Sequence, residues 1–512
     1  MDTTAAPLLR HLYTVGSLTN RESGVCFSVK NRLFDATLTA IDEVRIDGTV
    51  IDQGAVRIEV GGVMRGAGEL GADAAVEFPL RSELRVCVEH PPLEEGQHRI
   101  DVRVHTVPFG SLAISVTDNI GHGPSPRPVV PRAEDNYGDD VIEARRDLVH
   151  ALTGLRLHHV ASPSFDPHVT AGNVENFIGV AQVPIGLAGP MLVQGEHAQG
   201  EFLIPLATAE GTLVASYNRG MKVLNACGGA TVTVTDDCMQ RAPVFIFENA
   251  RGAREFRTWV DEHMAEITGA AEATTSIGRL LRIDTYLAAK FAFLRFNFST
   301  GDAAGQNMVG KATFAACSWI LEHNDTIGRF FLEANFATDK KASQVNILRT
   351  RGKRVVAEVT IPRSVLASVM RVDTEQLSYF AGVADVGSFL AGVNNNGLQS
   401  ANGITALFIA TGQDVADVSE SSAAVIYTDL ESNGDLYLSI TIPSLIVATH
   451  GGGTNLPTQR ECLQMMGCDG PGTATKFAEI VGAVVLAGEI SLASAITSRD
   501  WVSSHERFGR NR

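Results

Sequence analysis

A stretch dense in proline and glycine, GHGPSPRPVVPRAEDN, divides this 512-residue sequence into two unequal parts. It spans Gly121–Asn136, and its composition predicts a semi-rigid linker and a domain boundary. Before the linker, β-branched segments recur between turn residues, whereas helical and strand patterns alternate after it. The chain therefore must fold as separate units, and its length predicts two to four domains.

The part before the linker is predicted to be all-β. Segments such as GVCFSVKNRL, AVRIEVGGVM and HRIDVRVHTV are rich in β-branched residues, and IDGT and PPLEEGQ are plausible hairpin connections. The spacing of these segments predicts a β-sandwich over residues 1–120. His, Asp and Glu have no metal-ligand spacing there, so we expect a structural or partner-binding role and no metal site.

Composition excludes several classes of protein. A hydrophobic content of 45% with 20% charged residues indicates a folded α/β-type chain, and the formal charge of −16 argues against nucleic acid as a partner. Seven cysteines without a CxxC pair predict reduced thiols in a cytosolic protein. The N-terminus lacks the apolar core of a signal peptide, and the apolar run Ile480–Gly488 is too short to cross a bilayer. We expect a cytoplasmic protein without a membrane anchor.

Three adjacent ionisable residues, Asp339, Lys340 and Lys341, follow a polar turn and precede a possible helix. Such runs are common on solvated surfaces. Here the run lies between the largely apolar segment IGRFFLEANFA and the strand-like RGKRVVAEVTIP. A lysine seated between buried elements is a compact cation that can stabilise a developing oxyanion. Lys340 is therefore the first candidate catalytic residue.

Other candidate residues lie at strand-to-helix turns. Glu210 lies between an apolar strand and a helix that opens at Thr212, where a glutamate usually complements the helix dipole. In an apolar pocket it would keep its proton and act as a donor. The string GDAAGQN places Asp302 and Asn307 at a turn whose glycines let backbone N–H groups approach an anion. It is not GxGxxG, so a Rossmann domain is not indicated.

The C-terminal third adds three further candidates. Asp414 follows the apolar segment ALFIATG, and Gly451–Gly453 form a second glycine-rich turn. His505 lies in the polar terminal segment WVSSHERFGRNR, where a histidine is more often solvent-exposed than catalytic.

Earlier in the chain, Asp139–Leu152 is predicted to be a helix, with Asp139 and Asp140 in the first turn where the dipole favours them.

Taken in order, ENFIG, PLATAEGTLVASYNRG, GDAAGQNM, TDKKASQVN, GQDVADV, HGGGTNLPTQRECLQMMG and SHERFGR resemble the catalytic region of the hydroxymethylglutaryl-CoA (HMG-CoA) reductase family, and TDKK is similar to its class I, eukaryote-type branch. The resemblance spans about Ser162–Arg510 and leaves the β-rich N-terminus outside it as an extra domain. It implies an α+β fold. A large α/β substrate-binding domain (139–242 and 332–495) follows a linker (121–138), carries an inserted ferredoxin-like nucleotide-binding domain (243–331), and ends in a C-terminal flap (496–512).

The resemblance also implies a reaction, the four-electron reduction of an acyl-CoA thioester by NADPH or NADH, from HMG-CoA to mevalonate. Lys340 would stabilise the reduced carbonyl oxygen, Glu210 would protonate it, Asp414 would couple the two, and His505 would protonate the departing thiolate of coenzyme A. The active site would form between two subunits of a homodimer or higher oligomer. The implied substrate-binding residues are Arg241, Lys341, Asn218, Arg219, Ser216 and Asn402. The implied cofactor-binding residues are Asp302, Ala303, Gly305, Gln306, Asn307, Gly451, Gly452 and Gly453.

Departures from the family pattern fall on the acyl and coenzyme A sites. Glu333 stands where a serine that contacts substrate is usual, and a gap-free count back from GQD puts Gly382 in place of a lysine that neutralises the distal carboxylate. Adding a carboxylate and removing a cation takes favourable charge away from an acidic acyl chain. Gln399 replaces a histidine on the coenzyme A side.

The cofactor site and the tail also depart. Ser276 and Ser299 stand at basic positions of class I relatives, which would favour NADH or weaken discrimination for NADPH unless Arg279 or Lys311 compensates. Asn511 replaces a serine that is phosphorylated in animal enzymes, so that control is expected to be absent.

Three hypotheses follow. The chain is an HMG-CoA reductase, supported by the complete catalytic set. Alternatively it reduces a different acyl thioester, as Glu333 and Gly382 favour, or it is a non-catalytic acyl-CoA- or sugar-binding scaffold organised by the β-rich domain. The retained Glu210, Lys340, Asp414 and His505 favour an enzyme over a scaffold.

Overall fold

The computed structural model describes residues 12–21, 24–32, 35–60, 63–71, 74–120 and 129–498, and in it the chain is a mixed α+β protein. The sequence predictions for His505 and Asn511 fall outside the described residues, as do residues 121–128 of the predicted linker and 499–512 of the predicted flap.

The N-terminal part consists of two antiparallel sheets that share one core. The first sheet has the strand order β1-β2-β8-β5-β6, and the second runs β10-β9-β3-β4, with β7 also paired to β3. The strands are β1 (Thr19–Arg21), β2 (Gly24–Lys30), β3 (Ala36–Ile46), β4 (Thr49–Val50), β5 (Val56–Val60), β6 (Val63–Gly66), β7 (Val76–Phe78), β8 (Glu83–Val88), β9 (Gly96–Val107) and β10 (Gly110–Ile120). Ile58 and Val86 of the first sheet and Ile100 and Ile114 of the second are buried in the same cluster, as alternation in a two-sheet stack requires.

Two cysteines of this part are joined, which corrects the prediction that all seven are reduced thiols. Cys26 on β2 lies directly opposite Cys87 on β8 in the strand register, with their Cα atoms 4.1 Å apart, and the two form a disulfide. Directly opposed positions on neighbouring strands bring side chains close enough to bond, and the sequence separation of 61 residues hides that relation. Five cysteines in the described part of the chain are free: Cys227, Cys238, Cys317, Cys462 and Cys468.

The second part is built on a six-stranded sheet with the order β12-β11-β13-β18-β20-β19. Its strands are β11 (Ile185–Gly195), β12 (Gln199–Ala207), β13 (Ala230–Arg241), β18 (Gly352–Ile361), β19 (Val425–Leu430) and β20 (Leu436–Leu445). All neighbours are antiparallel except β11 and β13. The helices around it are α1 (Asp139–Thr153), α2 (Leu213–Ala226), α6 (Gln344–Leu348), α7 (Arg363–Met370), α8 (Thr374–Ala391), α9 (Ser400–Thr411), α10 (Val418–Ser421), α11 (Pro457–Met465) and α12 (Thr473–Thr497).

A smaller sheet branches from the end of β13. Its strands β14 (Val244–Ile246), β15 (Arg279–Ala288), β16 (Phe291–Ser299) and β17 (Arg329–Phe331) lie in the order β17-β14-β16-β15 with every pair antiparallel. Helices α3 (Ala250–Glu262) and α4 (Met264–Glu272) connect β14 to β15, and α5 (Gln306–His323) connects β16 to β17. The end of β13, Met239–Arg241, pairs with β16 and joins the two sheets.

Helix α12 is the centre of the large core. Among the described residues it is the one helix long and apolar enough to cross a membrane by length and composition, but 78% of its most apolar window is buried inside the protein. Two buried carboxylates explain how it is held: Glu479 accepts hydrogen bonds from the backbone of Glu196–Ala198, and Glu489 accepts from Leu398 and Gln399. The apolar run predicted as Ile480–Gly488 is therefore the middle of a longer helix that contains both flanking glutamates.

The two parts touch at the turn between β9 and β10. Phe109 in that turn is buried, and its ring centroid lies 5.2 Å from that of Phe314 on α5. An added Cβ at Gly110 would lie 3.0 Å from the carboxylate of Glu322 on the same helix. The N-terminal part therefore packs directly against the helix that follows the predicted cofactor turn.

Candidate active site

Lys340 lies in a strained loop between β17 and α6. Three residues of this loop with side chains have positive φ angles, 66° at Asn335, 59° at Thr338 and 58° at Lys340. Each such residue stores strain of about 1–3 kcal/mol, so the loop needs support from outside. The backbone N–H of Lys340 donates to Glu420 Oε1 at 3.1 Å, and Thr338 Oγ1 donates to Asn346 Oδ1 at 2.6 Å.

The ammonium group of Lys340 is paired with Asp414. Lys340 Nζ lies 2.8 Å from Asp414 Oδ2, and each side chain is about two-fifths exposed. The hydrogen bond that Lys340 donates to Asp414 raises the pKa of Lys340 above its ordinary value. Asp414 follows α9, which ends at Gly412 in the left-handed region, and its Oδ1 accepts from Ala416 N. The pair presents a fixed, protonated amine to solvent, where it can stabilise an oxyanion.

The two predicted cofactor turns face one cleft of about 580 Å³. Ala303, Gly305, Gln306 and Asn307 line it, and so do Gly451–Gly453 and Asp414. Gly305 precedes α5 with φ +80°, and an added Cβ there would lie 2.2 Å from Thr300 Cγ2. The first N–H groups of α5 therefore face a space where an anion can approach them.

Two glycines keep the turns in contact. A Cβ at Gly412 would lie 2.2 Å from the carbonyl oxygen of Gly453, and a Cβ at Gly453 would lie 2.5 Å from that of Gly412. Only residues without side chains allow these backbones to approach so closely. The Asp414 segment and the Gly451–Gly453 turn are thus packed backbone to backbone at the base of the cleft.

Asp302 does not line this cleft, although the family resemblance implies a cofactor contact. Its carboxylate accepts from Gly472 N at 2.7 Å and Ala474 N at 3.1 Å, so that it caps the N-terminus of α12. Its carbonyl oxygen accepts from Thr449 N and His450 N. Carboxylates are favoured at helix N-termini, and in this chain that tertiary contact occupies the side chain.

A buried cluster of charged side chains contacts the lysine loop and supports it. The guanidinium of Arg351 is fully buried and donates to Asp339 at 2.5 Å, to Glu420 and to Gln240 O. Burial raises the pKa of Glu420 to about 7 and that of Asp417 to about 6. The carboxylates of Asp339, Asp417 and Glu420 lie within 4.8 Å of one another, and Arg351 supplies the positive charge among them.

The acyl-side candidates lie beside the lysine loop. Arg241 Nη1 is 3.3 Å from Glu333 Oε2, and Arg241 Nη2 donates to Gln306 O. This arginine therefore links Glu333, which differs from the family pattern, to the cofactor turn. Lys341 is exposed, and its Nζ donates to Asp339 O. Glu333 therefore already occupies part of the hydrogen-bonding capacity of Arg241.

The coenzyme A-side candidates form a second group on α2, α9 and α12. Ser216 Oγ and Arg219 Nε both contact Ser491 Oγ, at 3.0 and 3.2 Å, and Gln399 Nε2 reaches Ser216 Oγ at 3.4 Å. Asn218 Oδ1 accepts from Gly189 N, and Asn402 lies half-buried in the first turn of α9. In the described part of the chain, no hydrogen bond or ion pair joins this group to Lys340.

Glu210 is apart from the Lys340–Asp414 pair within one chain. It lies exposed in the loop between β12 and α2, and its N–H donates to Thr208 Oγ1. Among the described residues, its carboxylate makes no hydrogen bond or ion pair to Lys340 or Asp414. The single chain thus joins two of the four predicted catalytic residues, and His505 lies outside the described range.

Gly382 lies in a different place from the cleft. It is on α8 and lines a separate cavity with Leu377, Tyr427 and Glu489, and an added Cβ there would meet nothing within 4 Å. Helix α8 packs against α12 and β19, so within one chain this position does not border the Lys340 loop.

The residues predicted to lie near a cofactor phosphate, Ser276, Arg279, Ser299 and Lys311, do not all lie in one place. Ser276 is exposed in the turn after α4, next to Thr275, whose hydroxyl contacts the sulphur of Met308 just after the cofactor turn. Arg279 is exposed and 3.9 Å from Glu272, and it pairs in register with Ser299. Lys311 instead lines a cavity with Pro108 and Trp319.

Sequence reasoning missed Arg351, Asp417 and Glu420. A signal was present in GQDVADVSE, because carboxylates at 414, 417 and 420 recur every three residues and fall on one face of a helical turn. Asp417 accepts from Gln306 Nε2 at 3.1 and 3.2 Å, so this segment also contacts the cofactor turn. Arg351 carried no such signal, since its partners come from distant segments.

Comparison with known proteins matches almost the whole chain to one family. The family model described as "Hydroxymethylglutaryl-coenzyme A reductase" matches residues 141–510, and the one described as "Hydroxymethylglutaryl-CoA reductase, N-terminal domain" matches residues 8–121. The second match corrects the expectation that the β-rich N-terminus lies outside the family resemblance.

Relatives and solved structures agree with that match. The chain is 42% identical over 378 residues to the 3-hydroxy-3-methylglutaryl-coenzyme A reductase of Pyrococcus horikoshii, which covers 72% of this chain and 91% of the relative. It is 42% identical over 375 residues to the reductase of Methanothermobacter thermautotrophicus, and this match covers 73% of this chain and 94% of the relative. The fold is similar to the class II reductase of Streptococcus pneumoniae bound to NADPH in open conformations, with a TM-score of 0.53 and 21% identity over 69% of this chain and 86% of that one. None of these matches supports a different acyl thioester as substrate.

Proposed function

The chain belongs to the hydroxymethylglutaryl-CoA reductase family, and we propose that it reduces HMG-CoA to mevalonate and free coenzyme A with two equivalents of NADPH. One observation carries the proposal: Asp414, which pairs with the ammonium group of Lys340 at 2.8 Å, lines the same cleft as both glycine-rich turns. A fixed cation beside a cleft that a helix N-terminus lines suits a hydride transfer to a thioester carbonyl.

The chemistry follows from charge development on the carbonyl oxygen. Bound NADPH supplies the hydride that adds to the thioester carbon. The oxygen then becomes an alkoxide, which the Lys340 ammonium stabilises while Asp414 holds the lysine protonated and in place. Protonation gives a hemithioacetal, which collapses to an aldehyde as the carbon–sulphur bond breaks and the thiolate leaves. Reduction of the aldehyde to the alcohol would take a second equivalent of NADPH and one proton, with Lys340 again stabilising the oxygen.

We assign the proton transfers to Glu210 and His505. Glu210 protonates the reduced oxygen, and His505 protonates the coenzyme A thiolate. The exposed loop position of Glu210 supports a role at a site completed by another chain.

The residues proposed to hold the cofactor suit a dinucleotide. Ala303, Gly305, Gln306 and Asn307 precede or open α5, whose N-terminal N–H groups suit a pyrophosphate, and the open space over Gly451 and Gly452 lets a ligand reach the backbone. Arg279 is the exposed cation next to Ser299 and is proposed to face the adenosine ribose. NADPH is the expected donor, and NADH is the comparator.

The acyl and coenzyme A contacts are also proposed. Arg241 and Lys341 bind the carboxylate end of the acyl group, with Arg241 released in part from Glu333 when substrate binds. The coenzyme A moiety is assigned to the second group of polar side chains: Ser216, Asn218, Arg219 and Asn402. Both groups present cations or amide donors that suit carboxylates and phosphates.

We propose a domain division that follows the shared cores. Residues 1–120 form a β-sandwich and 121–138 a linker. Residues 139–242 with 332–495 form the substrate-binding domain, 243–331 a ferredoxin-like nucleotide-binding domain, and 496–512 a flap. The order β17-β14-β16-β15, antiparallel throughout and connected by helices, supports the ferredoxin-like assignment.

We also propose that the protein is a homodimer of class I type in the cytoplasm. Helix α8 exposes a row of large apolar side chains beside the edge strand β19, namely Tyr379, Val383, Val386, Phe389 and Leu390. Exposed apolar patches of this kind mark protein interfaces. A second copy seated there would complete the site with Glu210. We expect Phe389→Asp to shift the protein to monomer by light scattering and to lose turnover. Leu152→Asp, at another exposed apolar side chain, on α1, is the control.

The direct test is a turnover assay with HMG-CoA. We expect two NADPH oxidised for each mevalonate and each free thiol released. Acetyl-CoA and succinyl-CoA serve as comparators for the acyl group. A purified protein that oxidises neither NADPH nor NADH with HMG-CoA, but does so with a comparator, contradicts the proposed substrate.

A further inference from the structure

Lys340 is held at two points by a single short segment. Asp414, where the segment begins, binds the Nζ group at 2.8 Å, and Glu420, six residues later, accepts the backbone N–H of the same lysine at 3.1 Å. The turn between them runs through a 3₁₀ turn, Val415–Asp417, into α10. Residues 414–420 therefore position both the side-chain ammonium group and the backbone N–H of Lys340.

Glu420 is built into the protein as an anchor. Its side chain is fully buried and accepts three hydrogen bonds, from Lys340 N, from Asn346 Nδ2 at 3.2 Å and from Arg351 Nε at 3.3 Å; Arg351 Nε also forms an ion pair with the second carboxylate oxygen at 3.0 Å. Arg351 in turn donates to Asp339, the residue before Lys340. A buried carboxylate that accepts through both oxygens is held in place, so the backbone that it holds is constrained too.

The neighbouring residues of the loop depend on the same anchor. Asn346, which donates to Glu420, accepts from Thr338 Oγ1 and donates to Lys341 O at 3.4 Å. Thr338 and Lys340 both have positive φ angles. These backbone conformations persist only where surrounding contacts enforce them, and each contact described here leads to Glu420 or to a residue bonded to it.

We propose that Glu420, charge-balanced by Arg351, is a positioning residue for the reduction: it fixes the backbone of Lys340 so that the ammonium group meets both Asp414 and the substrate oxygen. It touches neither substrate nor cofactor. The inference rests on the proposed function for its kinetic part, whereas its structural part concerns Lys340 alone.

The test compares Glu420→Ala with Glu420→Gln. The glutamine retains an oxygen that accepts the Lys340 N–H, whereas the alanine does not. We expect kcat to fall about 100-fold in Glu420→Ala, the loss that a misplacement of about 1 Å produces, with the KM values for HMG-CoA and NADPH unchanged. Glu420→Gln is expected to restore most of the lost rate. Glu479→Gln is the matched control, because Glu479 is equally buried and also accepts from backbone N–H groups, but those belong to Glu196–Ala198 and not to the lysine loop.

Two readouts do not need turnover. The rate at which acetic anhydride acetylates Lys340, followed by peptide mass spectrometry, is expected to rise in Glu420→Ala and stay near the wild-type rate in Glu420→Gln and Glu479→Gln. In the unmodified protein, the backbone amide of Lys340 is expected to exchange slowly with deuterium, although its side chain is exposed.

Each outcome decides the proposal. Unchanged kcat and unchanged acetylation in a folded Glu420→Ala protein overturn it, and so does a lost rate with unchanged acetylation. Rapid exchange of the Lys340 amide in the unmodified protein overturns it even if Glu420→Ala does not fold. Inactive unmodified protein with a protected Lys340 amide and the expected acetylation pattern contradicts the proposed function but leaves the anchor in place.

Discussion

Glu489 is a carboxylate buried in the large core, and its replacement by glutamine tests how α12 is anchored. The side chain is 2% exposed and accepts from Leu398 N and Gln399 N, each at 2.8 Å. In the described part of the chain it forms no ion pair. Burial therefore raises its pKa to about 7, against 4.5 for the unperturbed group.

The sign of the effect follows from this raised pKa. Both folded and unfolded chains hold the proton below pH 4.5, so the contribution of Glu489 to stability is fully present there. It is lost as the pH rises toward 7, because the unfolded chain releases the proton first. From pH 5 to pH 8 the loss amounts to about 2.5 kcal/mol, at about 1.4 kcal/mol per unit of pKa difference. Glutamine does not titrate and removes this dependence.

The assay is urea unfolding of the unmodified protein and of Glu489→Gln at pH 5 and pH 8, followed by circular dichroism. The amide of glutamine places a donor against Leu398 N or Gln399 N, and that loss is the same at both pH values. We expect the stability of Glu489→Gln relative to the unmodified protein to improve by about 2.5 kcal/mol between pH 5 and pH 8. An equal difference at both pH values refutes the reasoning. Glu431→Gln, at an exposed carboxylate, is the control.

Three further predictions concern the cleft and its surroundings. Asp414→Asn replaces the charged acceptor that raises the pKa of Lys340 with a neutral amide, so the pH midpoint of Lys340 acetylation is expected to fall and kcat to drop about 100-fold. Gly412→Ala forces a Cβ to within 2.2 Å of Gly453 O, and we expect the KM for NADPH to rise about tenfold; Gly154→Ala, at a similar φ of +74° with open space around it, should leave that KM unchanged. Phe109→Ala removes a buried ring that packs on α5 and is expected to lower the free energy of unfolding by about 3 kcal/mol while kcat is retained, as thermal unfolding and turnover would show.

Local patterns in the sequence carried much of the secondary structure. The helix predicted at Asp139–Leu152 is observed as Asp139–Thr153, with both aspartates in its first turn and Gly154 as its left-handed C-cap. The helix expected after Asp302 begins at Gln306, and the strand expected from RGKRVVAEVTIP spans Gly352–Ile361. Capping, dipole and alternation are local effects, so a single sequence reveals them.

Local sequence patterns did not predict the contacts between distant segments of the chain. Lys340 and Asp414 are 74 residues apart, and no periodicity connects them; the family resemblance alone brought them together. Asp302 was assigned to the cofactor, yet the fold uses its carboxylate to cap a helix that begins about 170 residues later. The Cys26–Cys87 disulfide likewise depends on a strand register that composition does not reveal.

The most direct test of the central claim is the turnover of Lys340→Ala with HMG-CoA and NADPH. Loss of one preorganised group that stabilises the oxyanion lowers kcat by about 100- to 1000-fold. We predict a fall of that size, with NADPH binding retained and the unfolding transition unchanged, because the exposed side chain contributes little to the core. Turnover at the unmodified rate in a folded Lys340→Ala protein would contradict the role of this lysine and, with it, the proposed active site.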